Sequence, residues 1–327
     1  MKLGVLSDIH GNVIALKACI DYMERENCDE YLLLGDFVSD TPYPVETLDL
    51  IYDLMKKHKC HILRGNREEY MLEQRKLLKS CGSLDYSFAP SYKSGSEICI
   101  PSSVWLRNSA SGNLVFTYEK LRPKDWEFFD NLPITFVYEK EGYPSITCAH
   151  GSPDSSRELL QLFEDRIYTW FDKIDTDYML CAHTHYPGEL EYNGKHYFNS
   201  GSIGISINDC GLAQCLILES IEKNGSVVWE PRFLKIPYDN MQVVKDIFTS
   251  GLAKDGLWFI NSNILTLLTG NDLSYKLITR AAFLQKEAGF NDRIWPDIDE
   301  CYFEQAAKEL GIPNYSYEDI LEIEKTN

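Results

Sequence analysis

Five short apolar runs in this chain each end on an Asp, Asn or His, and this recurrence narrows the fold more than any other feature. Gly4-Val5-Leu6-Ser7 leads into Asp8-Ile9-His10-Gly11-Asn12. Tyr31-Leu32-Leu33-Leu34-Gly35 leads into Asp36, and Cys60-His61-Ile62-Leu63-Arg64-Gly65 into Asn66. Ser145-Ile146-Thr147-Cys148-Ala149 leads into His150, and Tyr178-Met179-Leu180-Cys181-Ala182 into His183-Thr184-His185. Runs of this length read as strands. In α/β proteins, sites form beyond the carboxyl ends of strands, where the scaffold is rigid and loops are free to vary. Two Asp, one Asn and four His delivered there can hold two divalent cations.

Between the runs the apolar period changes. Val13, Leu16, Ala18, Ile20 and Met23 fall at helical spacing, as do Val45, Leu48, Ile51, Tyr52 and Met55 after Pro44. Strands separated by helices predict βαβ units and a largely parallel sheet. Residues 68–79 read as a charged helix, and 113–132 as helical with a break at Pro123. The intervening stretch, 80–113, is rich in Ser, Gly and Pro and carries Tyr86, Phe88, Tyr92 and Trp105. So long a polar stretch suggests a functional loop or lid insertion. Its aromatics are expected to pack as a lid, with stacking on a nucleobase as the alternative. Strand signals return at Ile134, and Asn193-Gly194 between 189–192 and 195–198 signals a hairpin. Strands are expected over 212–218 and 226–234. Helices are expected over 241–249, 257–268, 274–287 and 299–310. The chain thus divides into an α/β part, 1–238, and an all-α C-terminal extension, 239–327.

Charge limits the partners. Fifty Asp and Glu against 32 Lys and Arg leave a formal net charge of −18. Such a surface repels nucleic-acid backbones, so polynucleotides are disfavoured. Small anions remain open, because two bound cations would reverse the local field. The one basic cluster, Lys56-Lys57-His58-Lys59, reads as the solvated end of a helix. No apolar stretch approaches the roughly 20 residues that span a bilayer. Met1-Lys2 leads directly into a short strand and then Asp8, unlike a signal peptide, so a cytoplasmic location is expected. The ten cysteines show no Cys-x-x-Cys spacing and are expected as free, buried thiols.

Asp8-x-His10, Gly35-Asp36, Gly65-Asn66, His150 and His183-x-His185, in this order, resemble the calcineurin-like metallophosphoesterase family over roughly residues 1–235. Four of the seven histidines fall in these motifs. Ser7-Asp8-Ile9-His10-Gly11-Asn12, Pro42-x-Pro44-x-Glu46 and Asn199-x-Gly201-Ser202-Ile203-Gly204 look like its small bacterial branch. So does the stretch from Phe116-Thr117 to Leu132-Pro133. That branch includes phosphodiesterases and dinucleoside tetraphosphate hydrolases. The resemblance implies a four-layer sandwich of two mixed β-sheets flanked by helices. It also implies two metal sites: Asp8, His10 and His185 on one ion, Asn66, His150 and His183 on the other, and Asp36 bridging. Nitrogen and oxygen ligands suit Mn, Fe or Zn, with Mn the choice for assays. The implied reaction is hydrolysis of phosphoester or phosphoanhydride bonds in a small, nucleotide-type substrate, by in-line attack of a metal-bridging hydroxide.

One position departs from the family pattern. Many members carry His after the Asn; here it is Arg67. A guanidinium cannot act as a general acid, but it can pair with phosphate oxygens. Arg67 is therefore expected to position phosphate, which favours substrates whose leaving group is already a weak base. A salt bridge to Glu68 or Asp40 is the competing role. Asp40 and Asp154 are expected as loop carboxylates or supporting partners, Gly201 and Gly204 as tight-turn residues, and His58, His61 and His196 as surface or sheet residues. Alternatives to the hydrolase of small substrates are a Ser/Thr protein phosphatase and a protein-binding scaffold without catalysis. Self-association through the C-terminal helices is compatible with each.

Overall fold

A computed structural model describes residues 1–81, 104–291 and 293–326. The core of the expected lid, including Tyr86, Phe88 and Tyr92, lies outside the described residues. In chain order the elements are β1 (Lys2–Leu6), α1 (Val13–Arg25), β2 (Glu30–Leu34), α2 (Pro44–Lys57), β3 (Lys59–Leu63), α3 (Asn66–Ser80), α4 (Gly112–Tyr118), α5 (Pro123–Asn131), β4 (Thr135–Tyr138), β5 (Ile146–Ala149), α6 (Arg166–Phe171), β6 (Tyr178–Cys181), β7 (Gly188–Tyr192), β8 (Lys195–Asn199), β9 (Leu212–Lys223) and β10 (Ser226–Pro237). Five helices follow: α7 (Asn240–Thr249), α8 (Leu252–Thr269), α9 (Ser274–Glu287), α10 (Glu300–Leu310) and α11 (Tyr317–Thr326). All five runs singled out above are strands: β1, β2, β3, β5 and β6.

The strands form two mixed five-stranded sheets, ordered β10-β9-β1-β2-β3 and β4-β5-β6-β8-β7. β1, β2 and β3 run parallel, as do β5, β6 and β8. Alternation along each strand builds the layers. Leu3, Val5, Leu32 and Leu34 face Ile146, Cys148, Tyr178 and Leu180 between the sheets. Leu6, Tyr31 and Leu33 face the outer helices with Leu16, Ile20, Leu48 and Met71. Met179 and Cys181 face Trp170 and Phe171 of α6 on the far side. A strand buried on both faces must be apolar throughout, which is why these runs are nearly uninterrupted. The result is helices, sheet, sheet, helices. The hairpin β7–β8 turns at Asn193 and Gly194, both at positive φ (51° and 76°), as a two-residue turn requires.

The helical segments depart from expectation in detail. The stretch 113–132 is two helices, with Pro123 opening α5 where its missing N–H costs nothing. α8 begins at Leu252, not 257. Leu257 itself leaves helical geometry (φ 41°, ψ −121°), where α8 meets the start of α4 and Trp258 N donates to Ser109 Oγ at 2.9 Å. α6 and α11 were not anticipated; both are short, and α11 buries only Ile320. The C-terminal helices α7, α8 and α11 share a hydrophobic cluster with Phe116 and Ile205. Among the described residues no helix is long and apolar enough to cross a membrane. The nine described cysteines are free; Cys19, Cys28, Cys148, Cys181 and Cys215 are buried as expected, whereas Cys81, Cys210 and Cys301 are exposed.

Glu30, at the start of β2, should make stability depend on acid. Burial opposes its ionisation, but hydrogen bonds from Lys140 and His61 and the charges of Lys140 and Lys59 hold its carboxyl down to about 2. A depressed carboxyl stabilises the fold above its unfolded value, near pH 4.5, and loses that contribution as pH falls toward 2. The contribution is on the order of 1–3 kcal/mol at neutral pH. Urea unfolding of Glu30→Gln should show that deficit at pH 7, shrinking between pH 4.5 and 2. A deficit independent of pH would assign the effect to packing instead.

Candidate metal centre

The loops beyond β1, β2 and β6 are held in an unusual backbone conformation. Asp8, His10, Asp36, His183 and His185 all sit at positive φ, between 48° and 68°. For residues other than Gly this region costs on the order of 1–2 kcal/mol each. Neighbouring backbone enforces it: Asp8 N donates to Gly35 O, His10 N to Asp36 O, and Gly204 N to Asp8 O, at 2.9–3.2 Å. Glu68 completes the cradle. Its carboxylate accepts the N–H groups of Asp36, Phe37 and Gly65 at 2.8–2.9 Å. Burial, followed by the charge of Asp36, raises its pKa to about 7. Gly201 (φ 76°) is the turn residue expected. Gly204 is not at positive φ; a Cβ there would lie 2.0 Å from Ile9 O, so its role is close backbone approach.

All seven predicted ligand residues meet here. Asp8, His10 and His185 bring one potential ligand atom each to within 4.8 Å of one another, and Asp36, His150 and His183 form a second such group. Asp36 lies between them, its Oδ2 3.8 Å from His10 Nε2 and 3.4 Å from His150 Nε2. Its Oδ1 accepts Arg67 N–H at 2.8 Å, capping α3 from outside the helix. Asn66 Oδ1 is 3.0 Å from His150 Nε2.

The outward ring nitrogens define the chemistry. His150 Nδ1 is 2.7 Å from Leu34 O and His185 Nδ1 is 3.0 Å from Ile205 O. A carbonyl only accepts, so each Nδ1 carries hydrogen and each Nε2 is turned into the site. Burial opposes a charge on these rings, but the carboxylates outweigh it: Asp36 and Asp8 raise His150 to about 9, and Asp8 raises His185. His10 Nε2 faces His185 Nε2 at 3.0 Å. Asp8 Oδ1 is buried with no donor in hydrogen-bond geometry, 3.4 Å from His185 Nε2. A divalent cation would take the place of the protons that these converging nitrogens and carboxylates otherwise share. Electrostatics agree. Burial works against the charge on Asp36, yet the charges and hydrogen bonding of His150 and His10 hold its carboxyl well below the usual range. Burial also lowers His183, to about 3, keeping that ring neutral.

Arg67 adopts the ion pair weighed against its phosphate role. Its Nη2 donates to Asp40 Oδ2 at 2.8 Å, while Glu68 is fully engaged elsewhere. The Arg67 side chain as a whole stays 18% exposed, although its Nε is buried. Asp40 is buried and receives Asn113 Nδ2 on its other oxygen. Burial opposes its charge, but Arg67 and His10 hold its pKa down to about 2. Asp154 is exposed. His61 pairs with Glu30, and His196 stacks on Tyr178. Two supporting residues were not read from sequence. Glu68 carried a signal, a Glu at the third position of a helix. Asn113 carried none, since only folding brings α4 to Asp40.

Comparison with known proteins accords with this arrangement. The model of the calcineurin-like phosphoesterase family matches residues 1–187. An uncharacterized protein of Methanocaldococcus jannaschii is 24% identical over 267 residues, which cover 77% of this chain and 94% of that one. The crystal structure of a hypothetical protein from Pyrococcus horikoshii superposes with TM-score 0.61 at 21% identity, covering 83% of this chain and 99% of that one. A metallophosphoesterase from Sphaerobacter thermophilus gives TM-score 0.56 at 19% identity, covering 83% and 100%. The two structures speak for the fold; the family match spans more than half of the chain. The chain therefore belongs to the calcineurin-like phosphoesterase family and is a metal-dependent phosphoesterase.

Proposed function

We propose that this protein hydrolyses phosphodiester or phosphoanhydride bonds in small nucleotide-type substrates, with two divalent ions bound. Asp8, His10 and His185 would hold one ion, Asn66, His150 and His183 the other, and Asp36 both. The observation that carries this reading is the convergence of His10, His150 and His185 Nε2 with Asp8 Oδ1 and Asp36 Oδ2. When bound, such ions neutralise charge on phosphoryl oxygens and acidify water. Mn, Fe and Zn suit the donors. The chain's own residues do the rest. Leu34 O and Ile205 O keep the rings of His150 and His185 in the ligating tautomer. The N–H of Arg67 orients Asp36, and the Arg67 guanidinium receives phosphate from the solvent side. No histidine stands at position 67 to protonate a leaving group, so a leaving group of low basicity is favoured. We infer further that 1–238 is the catalytic unit and that 239–327 walls it.

The test is turnover by Mn-loaded protein of bis(p-nitrophenyl) phosphate, a dinucleoside tetraphosphate and glycerol phosphate. The first two should be cleaved, and glycerol phosphate should be at least about 10²-fold slower. Arg67→Gln should raise KM about 10-fold, with a smaller fall in kcat. Equal rates on glycerol phosphate and the aryl diester would remove the role given to Arg67. Metal bound stoichiometrically without any turnover would favour a protein phosphatase, and absence of both would favour a scaffold.

A further inference from the structure

We infer that Asp40 is a positioning residue that couples the His10 metal ligand to the Arg67 substrate contact, and that α4 holds it in place. The inference rests on the two-ion reading above. A single oxygen, Asp40 Oδ2, lies 3.1 Å from His10 Nδ1 and 2.8 Å from Arg67 Nη2. The other, Oδ1, takes the Asn113 amide from α4. The carboxylate is 3% exposed and its backbone sits at φ 71°, following Ser39 at φ 77°. A strained, buried carboxylate facing two donors on the site and a third from a distant helix is expensive unless orientation matters.

The physical role follows from hydrogen-bond sense. Asp40 only accepts, so it draws the His10 proton to Nδ1 and leaves the Nε2 lone pair for metal. This is the service that Leu34 O and Ile205 O perform for His150 and His185. In the described geometry the His10 Nδ1–H line misses the oxygen, although the two atoms lie 3.1 Å apart. The same oxygen fixes the guanidinium of Arg67 next to that metal position. One carboxylate therefore sets both the tautomer of a ligand and the placement of a phosphate contact. Its own place depends on α4, whose first residue, Gly112, lies against the Asp255 carbonyl of α8. The C-terminal helices thus reach the centre through Asn113.

Asp40→Asn is the discriminating variant, because Asn tolerates positive φ and preserves size. If its amide oxygen stays toward Asn113, its NH2 faces two donors and draws His10 into the wrong tautomer. Mn²⁺ titration by calorimetry should then show one of two sites weakened about 10- to 100-fold. Two-bond ¹H–¹⁵N spectra of the metal-free variant should show His10 protonated at Nε2 instead of Nδ1. The Ki of inorganic phosphate, measured at saturating Mn²⁺, should rise, and Arg67→Gln should raise that Ki without moving Mn²⁺ affinity. In the double variant the Ki should not exceed that of Arg67→Gln alone by more than about twofold. Asn113→Ala should reproduce the Asp40→Asn pattern in weaker form, guarding against a purely local artefact. Wild-type metal affinity and an Nδ1 proton in Asp40→Asn would overturn the inference while leaving the two-ion reading intact. Failure of the wild type to bind two ions would instead remove that reading.

Discussion

Asp36→Asn should lower turnover by about 10³-fold or more, ~4 kcal/mol of transition-state stabilisation, and reduce Mn²⁺ stoichiometry from two to one or fewer. The Asp36 carboxylate faces both candidate ligand groups, through Oδ2 at 3.8 Å and 3.4 Å from His10 and His150 Nε2. An amide keeps the shape and the oxygen that caps α3, but it removes the charge and presents N–H groups to one side. The metal-free variant should be less stable than the metal-free wild type at neutral pH, since the ionised Asp36, which burial opposes but His150, His10 and Arg67 hold below its usual range, favours the fold. What it should lose is the rise in Tm on adding Mn²⁺, because a ligand stabilises only the state that binds it. Metal analysis, differential scanning calorimetry with and without Mn²⁺, and kcat on bis(p-nitrophenyl) phosphate check the three parts. Retention of both ions with full activity would remove Asp36 from the centre. Collapse of the metal-free fold would show that its capping role dominates.

Gly65→Ala should be among the most damaging single methyl groups near the site. The backbone at Gly65 is extended (φ −91°, ψ −172°), a conformation open to alanine. Space decides the outcome. A Cβ at this position would lie 2.1 Å from Asp36 Oδ1 and 2.5 Å from Asp36 N, closer than any contact can be. Either β2's loop or the start of α3 must move, and both carry ligand candidates. A loss of about 2–4 kcal/mol is expected, together with weakened metal binding even where the fold survives. Gly142→Ala is the control. Its φ of 84° strains alanine, but nothing lies within 4 Å of the added methyl, so a loss near 1 kcal/mol with unchanged metal affinity is expected. Chemical denaturation and Mn²⁺ titration of the two variants separate crowding at the centre from backbone strain alone.

Much of this molecule is local and was therefore legible. β1, β2, β5 and β6 are buried on both faces, so their runs stand out without any knowledge of partners, and the edge strand β3 shows the same run only half-buried. The residues that follow them, from Asp8 to His185, are delivered by the strand ends themselves. Other features depend on contacts between distant parts of the chain. Nothing around Asp40 says that its carboxylate is shared by His10 and Arg67. Nothing around Asn113 says that it reaches Asp40 across 73 positions. The break at Leu257 arises where α8 meets α4, and Gly204 is small because Ile9 O lies against it.

Alone, then, the sequence determined the five strands, the order of their candidate ligand residues and the residue types available to a metal, because burial and strand alternation are properties of short segments. Tertiary structure decided which of those residues face one another, which ring nitrogen His10, His150 and His185 turn inward, and that Arg67 is held by Asp40. Those are set by carbonyls, carboxylates and helices that arrive from elsewhere in the chain, and hydrogen bonds at 3 Å are fixed only once the two sheets and the C-terminal helices have packed.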